Sequence, residues 1–382
     1  MQQKINEFNA SQNEVVVKGV AQGSYGETYQ TLQAAIAANK APAVVLLNNN
    51  QMYALAQKKV LAPLDSYIAS DNTFNSNDFI SAFYSQGLIN GKRYALPMYG
   101  TTQVMYYNKD LLQGAQVDPK TLKTWEDVYA AAKKITKKDG KDVSLYGFEP
   151  MWGADNLIDM ALSKGGKILS GDGKKVNIDT PEWVDSWEAV RKAIFEDKTM
   201  RIHSGGQGWE YWYATIADVM KDHAAGYLGS SGDQGDLDFT KIDAEPQPGW
   251  QGHEAEPVAE AITVSIPAIT DKDKQEAAIK WIQYFTNAEV NADWSIKTGY
   301  ITVRESATKV QAFQDFASTH PQILVPIAQA RSASTAFIDP TGGKIMDALK
   351  KAADKIEIQN IPAVVALQEA QAEAQAALDA IQ

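Results

Sequence analysis

The sequence predicts an α/β protein folded as two domains, and three observations lead there. Strand-like and helix-like segments alternate through the first hundred residues. The pattern changes character after Tyr107. The 382 residues are enough for two separately cored domains.

In chain order, INEFNASQ (5–12) reads as a helix end and a turn, and EVVVKGV (14–20) as a β-branched strand. In AQGSYGETYQTLQAAIAANKAP (21–42), Leu32, Ala35, Ile36 and Asn39 recur at helical spacing until Pro42 stops the helix. AVVLLNNN (43–50) is a buried strand ending in polar residues, and QMYALAQKKVLAPL (51–64) a helix closed by a proline. This order predicts a mostly parallel sheet with helices on its faces. LPMYGTTQVMYYNKDLL (96–112) is a strand with a Gly-Thr-Thr break, two tyrosines at its exit and a helix start after them. It reads as a pocket wall running into an interdomain crossover.

Beyond it, Thr124 caps a helix with Val128, Ala131, Ala132 and Ile135 on its apolar face. Thr180-Pro181 opens another helix, since proline is preorganised for the first helical position. Residues 223–239 are a strand breaking into a Gly-Ser loop, and 256–268 return to strand character. Asp271 starts a helix with Trp281, Ile282 and Phe285 inward, and the Ala/Gln-rich tail reads as a surface helix.

A net charge of -11 argues against nucleic acid or an anionic membrane as partner. The absence of cysteine excludes thiolate catalysis, disulfides and cysteine metal sites, and suits an oxidising compartment. The opening MQQKINEFNASQ has neither a basic n-region nor an apolar h-region, so no signal peptide is expected within this chain.

Motifs for chemistry are missing. His203, His223, His253 and His320 are isolated in sequence and read as surface or satisfied side chains. GSSGDQG (229–235) fails the serine-elbow spacing, and no phosphate-cradling glycine loop occurs. Asp233, Asp236 and Asp238 lack the order of a calcium loop and read as solvated charge, so neither metal nor cofactor is expected. What stands out is polar and aromatic residues at strand ends, where open α/β sheets bind ligands. They are Tyr25, Asn48, Asn49, Thr101, Thr102, Ser230, Ser231 and Glu260, with Trp152, Trp209 and Trp212 as flat faces. Sugars need this mixture: rings stack on C–H patches while amides, hydroxyls and carboxylates meet the sugar hydroxyls.

Four segments, GSYGETYQTLQAAIAANKAPAVV (23–45), LINGKRYALPMYGTTQVMYYNKDLL (88–112), TLKTWEDVYAAAKKI (121–135) and WIQYFTNAEVNADWSIKTGYITVRESA (281–307), together resemble the extracellular solute-binding proteins of ABC importers, the family of the maltose and glycerol-3-phosphate binders. The resemblance implies a periplasmic-binding-protein-like fold of two α/β lobes with a ligand cleft between them. It places lobe 1 at 1–106 plus about 257–310, and lobe 2 at 107–256 plus about 311–382. It implies a monomer outside the cytoplasm, delivering a small-molecule ligand to a membrane permease without turnover. The family's first strand is expected to be missing here, because the chain starts inside the helix that follows it.

Carried over residue by residue, the family's ligand-binding positions fall at Tyr25, Asn49, Thr101 (or Gly100), Trp152, Ser230, Ser231, Glu260 and Tyr300. The arginine that the glycerol-3-phosphate binder offers its phosphate has no match in SASTAFIDPTGGK (332–344), and Arg331 is the nearest substitute. Glu260 would repel a phosphate dianion. A neutral sugar or oligosaccharide is therefore expected, with glycerol 3-phosphate or a glycerophosphodiester as the alternative. A glycosidase using Glu210 and Glu260, and a receptor that signals without transport, are the competing readings.

Overall fold

The computed structural model describes residues 1–71, 74–140 and 142–381. It has two compact units, Met1–Thr101 with Ala259–Ile323, and Thr102–Val258 with Leu324–Gln382. The chain therefore passes between units three times.

In the first unit, strand Val45–Leu47 pairs with Val258–Ser265, Leu46 opposite Val264. Helices Asn49–Gln57 and Lys272–Phe285 cover apolar clusters that include Leu47, Met52 and Leu55, and Val264, Trp281 and Phe285. The pairing is antiparallel, not the parallel pairing expected, because Val258–Ser265 re-enters the unit from the other one and runs against Val45–Leu47.

Two elements differ from expectation. Residues 14–20 form no strand. Side chains of helix Gln2–Ser11 and its cap take up their backbone instead. Asn9 Nδ2 donates to Val17 O and Val17 N to Asn9 Oδ1, both at 2.8 Å, while Gln12 Oε1 accepts from Val15 N at 2.8 Å. Val16 and Val20 stay 73% and 82% exposed, so β-branched content alone did not make a strand. The helix expected through residue 64 ends at Gln57: Lys59 is left-handed, and Ala62 N then donates to Ile266 O at 2.8 Å. That turn, and not Pro63, stops it.

The expected Gly-Thr-Thr break is absent, since strand Leu96–Asn108 runs through it, and the glycine has a packing explanation. A Cβ on Gly100 would lie 2.2 Å from Phe83 Cζ, so only glycine fits against that ring. Thr102 Oγ1 donates to Val258 O at 2.8 Å.

In the second unit, the later half of strand Leu96–Asn108 pairs antiparallel with Gly226–Ser230 and with Ile242–Glu245. Parallel bridges join Tyr146 to Ala224 and Glu149 to Tyr227. One core lies around Trp125, Phe148 and Leu228. Another is built by helices Ala154–Ser163, Pro181–Phe195, Lys344–Glu357 and Ala363–Asp379 around Trp183 and Trp187. The tail is thus more than a surface helix. Ala366, Leu367, Ala370 and Ala374 are buried, and Gln371 and Gln375 accept from Ile178 N and Val176 N at 2.9 and 2.8 Å.

Candidate functional site

The predicted residues fall in both units. In the first unit, Ser24 caps helix Tyr25–Ala37 by accepting from Glu27 N, which fixes Tyr25 at the helix start. Tyr25 OH lies 2.8 Å from Tyr99 OH, and the Tyr99 ring packs on Tyr300 with centroids 4.7 Å apart. Burial raises the Tyr25 phenol above its ordinary range, and the Tyr99 phenol well above it. Both remain neutral hydroxyls at physiological pH, each able to donate and accept.

Beside them, Asn49 N donates to Glu260 Oε1 at 3.1 Å, and Asn49 Nδ2 to Gln86 Oε1 at 2.7 Å. Gln86 Nε2 in turn donates to Ala259 O at 3.0 Å. Asn49 is buried and serves to orient the half-buried Glu260. Thr101 is half-buried and two residues from Tyr99 along one strand, hence on the same strand side. The structure thus links Tyr25 to Tyr300 through Tyr99, and Asn49 to Glu260 directly.

In the second unit, Trp152 is half-buried, its Nε1 donating to Asp354 Oδ1 at 2.7 Å and its ring edge-on to Tyr211 at 5.0 Å. Trp209 and Trp212 continue this aromatic group, 5.8 Å apart and nearly perpendicular. Ser230 is half-buried and accepts from Gly232 N at 3.1 Å, whereas Ser231 is wholly buried.

The loop charge at Asp233 is corrected. Asp233 is buried, accepting from Trp212 Nε1 at 2.8 Å and Tyr227 OH at 3.2 Å. A Cβ on Gly229 would come within 2.3 Å of its Oδ2, so glycine there admits the carboxyl. Asp236 and Asp238 are exposed, as expected. Burial pushes Asp233 from an ordinary 3.8 up to about 8. Between about pH 4 and 8 the folded chain keeps a proton that the unfolded chain has lost, so stability falls as pH rises through that window. One such proton gives a slope of up to about 1.4 kcal/mol per pH unit. Asp233→Asn, neutral throughout, should remove that slope and gain on the wild type between pH 5 and 8.5 in urea titrations. An equal stability difference at both pH values would contradict the assignment.

Sequence reading missed Tyr99, Gln86 and Tyr211. Tyr99 had a signal, its two-residue spacing from Thr101. Gln86, in a short helical turn far along the chain from both Asn49 and Glu260, had none. His203 and His223, isolated in sequence, are both satisfied by Asp218, at 2.6 and 3.3 Å.

Two α/β units in one chain are compatible with the solute-binding proteins as a class. A profile described as bacterial extracellular solute-binding protein matches residues 3–321, and the chain belongs to that family. It is 24% identical over 339 residues to the sn-glycerol-3-phosphate-binding periplasmic protein UgpB of Brucella melitensis, covering 85% of this chain and 76% of that one. It is 26% identical over 132 residues to the arabinooligosaccharide-binding protein of Halalkalibacterium halodurans, covering 34% of this chain and 28% of that one. Among solved structures, UgpB of Mycobacterium tuberculosis in complex with glycerophosphocholine superposes with a TM-score of 0.87 at 20% identity, over 100% of this chain and 95% of that one. An ABC substrate-binding protein of Listeria monocytogenes in complex with cycloalternan gives 0.85 at 22% identity, over 98% and 94%. Among the described residues no helix is long and apolar enough to cross a membrane.

Proposed function

We propose that this protein is the substrate-binding component of an ABC importer and takes a neutral sugar or oligosaccharide. The observations that support this reading are the paired hydroxyls of Tyr25 and Tyr99, with Tyr99 packed on the Tyr300 ring, and the Glu260 carboxylate held by Asn49 N in the same unit. Tyrosine rings meet sugar C–H patches, and the carboxylate accepts from two ring hydroxyls. Trp152 and Tyr211 supply a second flat surface. The protein acts outside the cytoplasm as a monomer, hands its ligand to a membrane permease and turns nothing over.

A second reading, glycerol 3-phosphate or a glycerophosphodiester, is favoured by one observation, the names of the relatives matched over 85% of the chain. Against it stands the chemistry of Glu260. A dianion would need a cation close by, and Arg331 is an exposed residue of helix Leu324–Ser332.

Glu260→Gln separates the two. Followed by tryptophan fluorescence, it should weaken a neutral oligosaccharide about tenfold, the loss of about 1.4 kcal/mol for a hydrogen bond to a charged acceptor. Tighter binding of glycerol 3-phosphate by the variant would establish the second reading. A large loss of stability with unchanged affinity would make Glu260 a structural carboxylate.

A further inference from the structure

A group of side chains in the second unit includes none of these candidate ligand residues. Glu149, His203 and Asp218 each present one donor atom, and the three lie within 4.8 Å of one another. They come from separate segments. Glu149 is fixed by the parallel bridge to Tyr227, and its own N donates to Gly226 O at 2.9 Å. Asp218 sits near the end of helix Glu210–Met220, and its backbone O accepts from His223 N at 2.8 Å. His203 follows the bridged residue Met200 by three positions.

The geometry around them is that of a closed floor and an open top. The Glu149 side chain is 1% exposed, while those of His203 and Arg201 are 29% and 32% exposed. Glu149 Oε1 accepts from Arg201 Nε at 2.8 Å, but Glu149 Oε2 is buried with no hydrogen-bond partner and lies 4.0 Å from His203 Nε2. His203 Nε2 is 2.6 Å from Asp218 Oδ2, and His223 Nδ1 is 3.3 Å from Asp218 Oδ1. A buried carboxylate oxygen left without a partner is costly, and a native site normally satisfies it. Arg201, whose Nη2 also reaches Asp218, satisfies the other oxygens.

We propose that Glu149, His203 and Asp218 form a binding site for a divalent transition metal of the Zn²⁺ class, with Arg201 as the built-in cation that fills it when no metal is bound. One imidazole nitrogen with carboxylate oxygens suits zinc and its neighbours better than magnesium or calcium, which take oxygen donors alone. The metal would occupy the position between Glu149 Oε2, His203 Nε2 and Asp218 Oδ2. His223, through its contact with Asp218 Oδ1, would steady the carboxylate from outside, the role of outer-shell partners in metal sites. The guanidinium is the competitor: it leaves through the exposed side, where it already rests 4.7 Å over the Tyr146 ring. The site is independent of the sugar reading, since it shares no residue with the candidate ligand positions.

The test uses the untagged full chain, stripped with a chelator, and CoCl₂ as a spectroscopic probe confirmed by competition with ZnCl₂. One equivalent of Co²⁺ should give a visible ligand-field band in the wild type. Arg201→Gln should bind at least tenfold tighter, because the competing cation is gone. His203→Ala should lose the band, and Glu149→Gln should weaken binding at least tenfold. Circular dichroism confirms that each variant is folded; His203→Gln replaces any His203→Ala protein that is not. No band in the wild type, even with binding in Arg201→Gln, would overturn the proposal. So would equal affinity in the wild type and the His203 variants, which would mark scattered surface binding.

Discussion

Trp152→Ala is expected to weaken sugar binding by ten- to a hundredfold, about 1.4 to 2.8 kcal/mol. Trp152 is half-buried, and its ring is held at two points, by the hydrogen bond from Nε1 to Asp354 and by the edge of Tyr211. A platform fixed in this way loses little side-chain entropy when a sugar ring stacks on it. Trp152→Phe keeps a flat face but loses the bond to Asp354, and should fall between the wild type and alanine. Trp209, exposed and held only by ring contacts, should matter less. Fluorescence or calorimetric titration of the three variants decides the matter. Unchanged affinity in Trp152→Ala would return this residue to a purely packing role.

Trp187→Ala should destabilise the second unit by about 3–5 kcal/mol, the range for emptying a buried tryptophan site. Its side chain is fully buried among helices Ala154–Ser163, Pro181–Phe195, Lys344–Glu357 and Ala363–Asp379. Its Nε1 donates to Leu157 O at 2.8 Å, which would be left without that partner. Trp152 bonds to Asp354 of helix Lys344–Glu357 in this cluster, so loosening these helices should also weaken binding that depends on Trp152. A loss below about 1 kcal/mol in urea denaturation would mean that the surrounding helices collapse into the space.

Much of this was legible in the sequence because it rests on local physics. The helix started by Thr124 has its capping box with Asp127, and Asp271 and Pro181 open the helices expected of them. Residues 14–20 misled because their β-branched run had no strand to pair with, and the amides of Asn9 and Gln12 took the backbone instead. The tail helix was read from its polar glutamines, yet Gln371 and Gln375 are the residues that hydrogen-bond the 176–178 backbone. Asp233 looked like loop charge because its partners, Trp212 and Tyr227, lie on other elements. Tyr25, Glu260 and Thr101 were named from local sequence, although Tyr25 opens a helix and Thr101 lies within a strand. Gln86, which bonds Asn49 from a distant segment, was not.

The most direct test of the central claim is a thermal-shift screen of the wild-type protein. The panel would hold mono- and disaccharides, maltodextrins, glycerol 3-phosphate and glycerophosphodiesters. A ligand present at 100 times its dissociation constant adds about 2.7 kcal/mol of stability, enough for a clear rise in melting temperature. We expect that rise with a neutral sugar or oligosaccharide and not with the phosphorylated glycerols. A rise with the phosphorylated glycerols alone would contradict the sugar reading, and would make Arg331 the next residue to change.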